Sequence, residues 1–443
     1  HRVAETGKGG LLGHRRGFIV VPDNVSQTAQ HARYFRRSLN ARAIDHSLDY
    51  DDLGNWQLWG IAFMSEDQFQ RFFRSALLRL LCSISVLLAV PGVAWTFDPA
   101  TYPKADSTLG EVIGPTEIAD AQALLDNLKE KIRHDYIKGL ARRDAHPKAH
   151  GCVQAEFAVR PDLPASLTAG LFTPGATYDA VIRFSNGSPN AAGDDHNGDT
   201  RGMATKLYGV EGKKFYYDPG APDAHDFIQI SSPYFFVNDS HGYTDFFQRV
   251  NSGKTMRLFK IPFILGWKGT VNAAKMLGQK INNPLDVTYY SVTPYQFDEG
   301  DGRRAVKYSA IPCSDPVSGE TTDGPNFLRH AMQKRLSTTS ACFDFRIQVR
   351  PDSSFDVEDV ITVWDEAKAP FVPVARISIP EQQFDTPEQN AACEALTYNP
   401  WHSIEAHKPL GTINRMRRVV YQAISELRFE MNGTQAAVIR KGQ

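Results

Sequence analysis

Apolar and polar residues alternate in short runs along most of the chain beyond residue 150. Side chains of a β-strand point alternately to the two faces of the sheet, so this period of two predicts half-buried strands. Eight such runs lie at 152–159, 178–185, 204–210, 226–230, 286–297, 305–311, 343–349 and 371–379. About eight strands with irregular connections indicate a closed antiparallel barrel or a sandwich.

A period of three to four residues predicts helices around these strands. The segment 117–138 collects its leucines and isoleucines on one side, as an amphipathic helix does. Helical insertions are expected at about 239–282 and 324–336, and the chain closes with a helix over 414–428. The layout is therefore α+β, and we expect it to form one domain.

The N-terminal region has a different pattern. The first methionine is Met64, and a basic stretch, an apolar run and small residues follow it as far as Ala94. This order is typical of a secretory signal. We expect 64–94 to be a signal peptide, with an uncleaved membrane anchor or a buried helix as alternatives. Residues 1–63 are expected to be a non-native or disordered extension, which leaves 95–443 as the working domain.

Export would place the working domain in the periplasm or outside the cell, and an uncleaved anchor would leave it attached to the membrane. In such an oxidising compartment Cys152, Cys313, Cys342 and Cys393 could pair, although their spacing does not say how. The 443 residues have an ordinary globular composition, with 42% hydrophobic and 22% charged residues. A net charge of −1 gives no reason to expect nucleic acid or an acidic membrane as partner.

The closing helix carries the first candidate chemistry. Positions 417, 421, 424 and 428 share one helix face, so Arg417, Tyr421 and Arg428 point the same way. The simpler alternative is an exposed basic helix with an interfacial tyrosine.

Several segments taken together extend this observation. They are RRDAHPKAHGCVQAEF (142–157), VIRFSNGSPN with GDTRGMATKLYGV (181–210), SSPYFFVND (231–239), ITVWDEAKAPFVPVARISI (361–379) and the final RRVVY (417–421). In this order they resemble the catalase superfamily of haem proteins over roughly residues 135–430. The resemblance implies an antiparallel eight-stranded β-barrel with helical insertions, a C-terminal helix carrying the proximal ligand, and haem b (heme b) with its iron as cofactor. The segment 361–379 is similar to a pair of strands that follows the barrel in this family.

The resemblance also implies a role for each candidate residue. His146, in the pattern H-x-K-x-x-G, matches the distal histidine, although His150 competes for this role, and Ser185 matches the serine that bonds to that histidine. Tyr421 matches the proximal ligand of the iron, and Arg417 the arginine paired with it. The arginines that match contacts to the haem propionates are Arg143, Arg183 and Arg428.

The chemistry of these residue types agrees with the roles. The pKa of a phenol is about 10, so a tyrosine that binds a metal as an anion needs the metal and a neighbouring cation to stabilise its negative charge. Tyrosine ligation is the known arrangement in catalases, so the assignment of Tyr421 comes from the resemblance. A neutral distal imidazole can move a proton between the two oxygens of a peroxide.

Two departures bear on the activity. Catalases carry a distal asparagine where this chain has Ile230, Ser231 and Ser232. Without this amide fast dismutation is less favoured, although Ser231 could donate one hydrogen bond. Ala145, before the distal histidine, agrees with catalases rather than with allene oxide synthases, which have threonine there.

We therefore expect a haem-dependent, catalase-like peroxidase that acts on hydrogen peroxide or organic hydroperoxides with an unknown reductant. The alternatives are a fatty-acid hydroperoxide isomerase of the allene oxide synthase type and a non-catalytic haem-binding protein. The apolar stretch 256–267 is expected to pack in the core, with a channel lining or transient membrane contact as alternatives.

Overall fold

The computed structural model describes residues 97–317 and 323–440. The signal segment expected at 64–94 and the extension expected at 1–63 lie outside these residues. Within the described ranges, none of the helices combines the length and the apolar character that crossing a bilayer requires.

In the described part of the chain, nine strands form one antiparallel sheet. They are β1 (Ala149–Val159), β2 (Thr177–Asn186), β3 (Arg201–Leu207), β4 (His225–Ile230), β5 (Tyr289–Tyr290), β6 (Tyr295–Phe297), β7 (Arg304–Pro312), β8 (Ala341–Val349) and β9 (Phe371–Ile379). Their order is β5-β4-β3-β2-β1-β9-β8-β7-β6, and a further pairing of β5 with β7 closes the sheet.

The two shortest strands occupy one place in the barrel. Both β5 and β6 pair with β7, at Tyr289↔Ala310 and Tyr295↔Val306 respectively. Between them Val292 has a φ of 62°, in the left-handed region that a continuous strand does not contain. The strand predicted over 286–297 is thus interrupted, and the barrel has eight strand positions. The predicted α+β fold with a closed antiparallel barrel is confirmed.

Aromatic side chains fill the barrel interior. The ring centroids of Phe227 and Phe345 are 4.7 Å apart, and those of Phe157 and Phe345 are 5.2 Å apart. These residues are buried, as the alternating pattern of their strands predicts. Since the interior is packed, any site for a large cofactor must lie outside the barrel wall.

Seven α-helices are found among the described residues. They are α1 (Glu117–Asp135), α2 (Ser240–Asn251), α3 (Thr255–Leu258), α4 (Ile261–Leu277), α5 (Phe327–Leu336), α6 (Pro387–Ala395) and α7 (Thr412–Asn432). The apolar faces of α1 and α7 meet in a cluster that includes Leu124, Leu128, Met416 and Leu427. Helix α7 is therefore packed against α1 between Met416 and Leu427.

Two disulfides within the described ranges join parts of the chain that are distant in sequence. Cys152 of β1 is bonded to Cys393 of α6, and Cys313 to Cys342 of β8. The first bond attaches α6 to the outer side of the barrel. The sequence left this pairing open.

Two expectations were wrong. The stretch 256–267 does not pack in the core, since Phe263 and Trp267 are 88% and 85% exposed. Residues 361–364 form no strand, so only 371–379 of the expected strand pair exists. A strand needs a neighbour whose backbone N–H and C=O groups are free to form hydrogen bonds. Between β1 and β8 these groups are already paired with β9, so no place remains there for a second strand.

Candidate functional site

The first part of the site lies where the chain enters β1. His146 Nδ1 is 3.1 Å from Ser185 Oγ, so the two residues expected to interact are in hydrogen-bond contact. The backbone of His146 has a φ of 59°, and its carbonyl oxygen accepts a hydrogen bond of 2.8 Å from Arg183 Nη2. Arg183 and Ser185 are two residues apart in β2 and therefore point to the same, outer face of the barrel.

A glycine makes room for the imidazole. Gly202 is paired with Ser185 across β2 and β3. A Cβ atom at Gly202 would lie 2.6 Å from His146 Nδ1 and 2.7 Å from Ser185 Oγ. Any larger residue at 202 would displace the ring from the serine.

The imidazole is neutral at physiological pH. Desolvation is the main cause that lowers the pKa of His146 to about 4, and the positive charges of Arg183 and Arg417 act in the same direction. Because Nδ1 faces Ser185, Nε2 is the nitrogen that remains for chemistry.

The second part of the site is on α7. Arg417 Nη2 donates a hydrogen bond of 3.1 Å to Tyr421 Oη, one helical turn away. Burial opposes the charge of Arg417, but Tyr421 and Tyr295 outweigh it and raise the pKa of the guanidinium above its usual value. A permanent cation therefore lies beside the phenol oxygen. Because the charge of Arg417 also acts on His146, the histidine and the helix share one electrostatic environment.

The three arginines expected to bind propionates converge around one carboxylate. Glu394 Oε1, on α6, accepts hydrogen bonds of 3.0 Å from Arg143 Nη1 and from Arg428 Nη2. Burial alone would raise the pKa of Glu394, but Arg143, Arg183 and Arg428 together hold it below its usual value.

This arginine cluster has too little negative charge of its own. Three guanidiniums and one carboxylate leave two positive charges, and Arg142 adds another nearby. Desolvation lowers the pKa values of Arg183 and Arg428 to about 9. The buried Nε atoms of both residues have no hydrogen-bond partner among the described residues. Unpaired buried donors and excess positive charge fit a ligand with two carboxylates, as haem b has.

Other candidates lie elsewhere. His150 Nε2 is 2.9 Å from Asn186 Oδ1, within a buried polar network that includes Asp195 and Arg201, so the structure pairs His146 rather than His150 with Ser185. Ser231 Oγ donates to Gln279 Oε1 at 2.6 Å. Ser231 is therefore already bonded and does not offer the free donor that could have replaced the distal asparagine.

A second buried charged group resembles a metal site. Ligand atoms of Asp218, Asp226 and His402 lie within 4.8 Å of one another. The ammonium group of Lys206 is 2.6 Å from Asp218 and 2.7 Å from Asp226. Lys206 thus forms ion pairs with both carboxylates, and the group is an internal ion-pair network.

Sequence reasoning missed Glu394 and the helix that carries it. The signal for the helix was present, since Thr386 and Gln389 form a capping box and Pro387 occupies the first turn. Nothing local distinguishes Glu394 from an exposed acidic residue, because its partners are 34 to 251 residues away.

Comparison with known proteins agrees with this geometry. The fold is similar to a fungal catalase, with a TM-score of 0.54 and 15% identity, and to catalase A from Saccharomyces cerevisiae, with a TM-score of 0.53 and 17% identity. Each match covers 69% of this chain. The Catalase family model matches residues 99–260. A catalase-related peroxidase from Mycolicibacterium paratuberculosis is 26% identical over 271 residues, which are 59% of this chain and 82% of that protein.

The chain belongs to the catalase superfamily. Within the catalase family match are His146, Ser185, Arg143 and Arg183, whereas Tyr421 lies beyond its end. The chain spans 63% and 64% of the two solved catalases.

Proposed function

We propose that this catalase-superfamily chain is a haem-dependent peroxidase that consumes hydrogen peroxide or organic hydroperoxides. The observation that carries the proposal is the arginine cluster, whose two unbalanced charges match the two propionates of haem b. The hydrogen-bonded pairs His146–Ser185 and Arg417–Tyr421 support it.

Each residue has a defined task in this proposal. Bound haem would supply the redox-active iron for peroxide cleavage. Tyr421 Oη would hold that iron, and Arg417 would stabilise negative charge on the phenol oxygen. Arg143, Arg183 and Arg428 would bind the propionates.

His146 would handle the proton. When Nδ1 carries hydrogen and donates it to Ser185 Oγ, Nε2 is free to accept a proton from one peroxide oxygen and return it to the other. The lowered pKa supports this role, because a protonated ring could not accept. Ser185 fixes the orientation of the ring, and the tautomer that donates from Nδ1 to Ser185 leaves Nε2 as the acceptor.

Peroxidase activity is favoured over fast dismutation. The hydroxyl of Ser231 is bonded to Gln279, and that of Ser232 donates to Tyr234 O at 2.8 Å. Neither serine replaces the donor that a distal asparagine gives to hydrogen peroxide. An external reductant is then needed to complete the cycle.

The test is the optical spectrum of the full chain with haem, before and after peroxide. We expect stoichiometric haem uptake, a ferric spectrum typical of phenolate ligation, and peroxide-dependent oxidation of a dye. Tyr421→Phe should lose the phenolate band, whereas the control Tyr178→Phe, whose hydroxyl bonds Leu171 O, should keep it.

The products separate the alternatives. Conversion of a fatty-acid hydroperoxide without any reductant would indicate an isomerase. Haem uptake without turnover would indicate a haem-binding protein. An unchanged spectrum in Tyr421→Phe would refute the assignment of the ligand.

A further inference from the structure

The most exposed apolar side chains of the described fold are concentrated in one short segment. Met256 and Phe259 are 77% and 69% exposed, and Phe263 and Trp267 are 88% and 85% exposed. We call these four residues the apolar patch. Scattered exposed apolar residues are common in soluble proteins, but contiguous groups of large ones mark interaction surfaces.

The patch is held in place by the second half of α4. Gly269 lies against Phe236, since a Cβ there would be 2.3 Å from Phe236 O. Asn272 Nδ2 donates to Phe235 O at 2.8 Å and to Ile361 O at 2.9 Å. At Gly266 the helix is interrupted, with φ 62° and ψ −178°. The segment is thus anchored to the protein from Gly269 onward. Before that point the patch residues on both sides of the kink present their side chains to solvent, whereas Leu265 is buried.

The chain segment that carries the patch is basic, although Arg249 at its start is paired with Asp245 at 2.9 Å. Between Asp245 and Asp286 the sequence contains seven lysines and arginines and no acidic residue. The lysines at 254, 260, 268, 275 and 280 are all exposed. The overall charge of −1 conceals this local excess, because acidic residues elsewhere compensate for it.

This combination decides the kind of partner. Aromatic side chains flanked by lysines are typical of segments that lie in the interface of a lipid bilayer, with the rings at the depth of the headgroups and the cations on anionic phosphates. A second copy of the chain is a poorer partner, because a symmetric contact would bring two basic segments together. We propose that the apolar patch and its lysines dock this protein peripherally on an anionic lipid bilayer.

Docking would bring one side of the candidate site towards the lipid. The anchored half of α4 contacts the backbone at Phe235 and Phe236, and the ring of Phe235 is 5.9 Å from that of Tyr243 on α2. Tyr243 packs against the apolar cluster between α1 and α7, and α7 carries the proposed ligand Tyr421. The docking itself does not depend on haem or turnover.

The first test is vesicle flotation with the full chain. We expect binding to vesicles of phosphatidylcholine with roughly 30% phosphatidylserine, and weaker binding without phosphatidylserine. The double variant Phe263→Ser/Trp267→Ser should reduce the partition coefficient about tenfold or more, because two interfacial anchors are lost. A matched control is Val112→Ser/Ile137→Ser, which changes two residues that are 67% and 77% exposed elsewhere and should bind like the wild type.

A second readout identifies the patch itself, whatever other segments contribute to binding. Brominated lipids quench tryptophans that enter the bilayer, so the quenched fraction should fall in Trp267→Phe while binding persists through the phenyl ring. Equal quenching in the wild type and Trp267→Phe would overturn the proposal. So would wild-type flotation by Phe263→Ser/Trp267→Ser. An oligomer that dissociates in this double variant, without vesicle binding by the wild type, would assign the patch to a second copy.

Discussion

At the scale of single residues, His146 combines an unusual backbone with a fixed side chain. Its φ of 59° lies in the left-handed region, which costs residues with a Cβ about 1–3 kcal/mol. Arg183 holds its carbonyl oxygen, Ser185 holds Nδ1, and Gly202 leaves the necessary space. Resemblance identified His146 and Ser185, but the conformation depends on neighbours 37 to 56 residues away, which no local pattern reveals.

Glu394 gives the first prediction at this scale. Glu394→Gln should lower the free energy of unfolding of the haem-free protein by about 1.5–3 kcal/mol, because charged hydrogen bonds to Arg143 and Arg428 are lost. The variant should also gain more thermal stability from haem than the wild type does, since a negative charge that competes with the propionates has been removed. Chemical denaturation and melting temperatures with and without haem measure both effects.

The control for this prediction is on the same helix. Glu388→Gln, in the exposed first turn of α6, should leave both quantities unchanged. If Glu394→Gln behaves like this control, the carboxylate has no role in the cluster.

At the scale of elements, α7 is anchored at its first turn by a buried ion-pair network. Arg415 is fully buried and lies 2.7 Å from Glu111 and from Glu117, and 3.1 Å from Glu358. Burial opposes the charge of Glu117, yet Arg415 holds its pKa below the usual value. The network fixes the rotation of α7 about its axis and hence the direction in which Tyr421 points.

Arg415→Met should therefore destabilise the protein by about 3–5 kcal/mol, because buried carboxylates would lose their counter-ion. The matched control is Arg418→Met, three residues on, whose guanidinium donates to Gln422 and lies 4.5 Å from the ring of Tyr216. Denaturant titration of both variants measures the difference. If both variants lose the same free energy of unfolding, the carboxylates are adequately solvated without Arg415.

At the scale of the whole molecule, buried neutral histidines make stability depend on pH. Burial is the main cause that lowers the pKa of His407 from 6.5 to about 3, and its Nε2 accepts the backbone N–H of Leu171. Below about pH 6.5 the unfolded chain binds a proton at His407, whereas the folded protein does not bind this proton until the pH falls to about 3. Folding stability is therefore lost as pH falls through this window.

The free energy of unfolding should decrease between pH 6.5 and 4, and His407 alone should contribute about 1.4 kcal/mol per pH unit. His407→Gln keeps an acceptor for Leu171 but does not titrate, so its slope should be smaller by about that amount. The exposed control His134→Gln, 82% accessible, should keep the wild-type slope. If the free energy of unfolding changes with pH equally in all three proteins, protonation of His407 does not destabilise the folded state.

The sequence by itself determined the local features. Alternation predicted the barrel strands, and helical periodicity placed Arg417, Tyr421 and Arg428 on one face, because both follow from the fixed geometry of a single segment. Only the tertiary structure decided which distant segments meet, as Cys152 meets Cys393 and the three arginines meet Glu394. It also decided which apolar side chains of the described residues stay exposed, among them Phe263 and Trp267. Such contacts depend on how whole elements pack against one another. The sequence does not show whether an apolar side chain is covered by another part of the structure or left exposed.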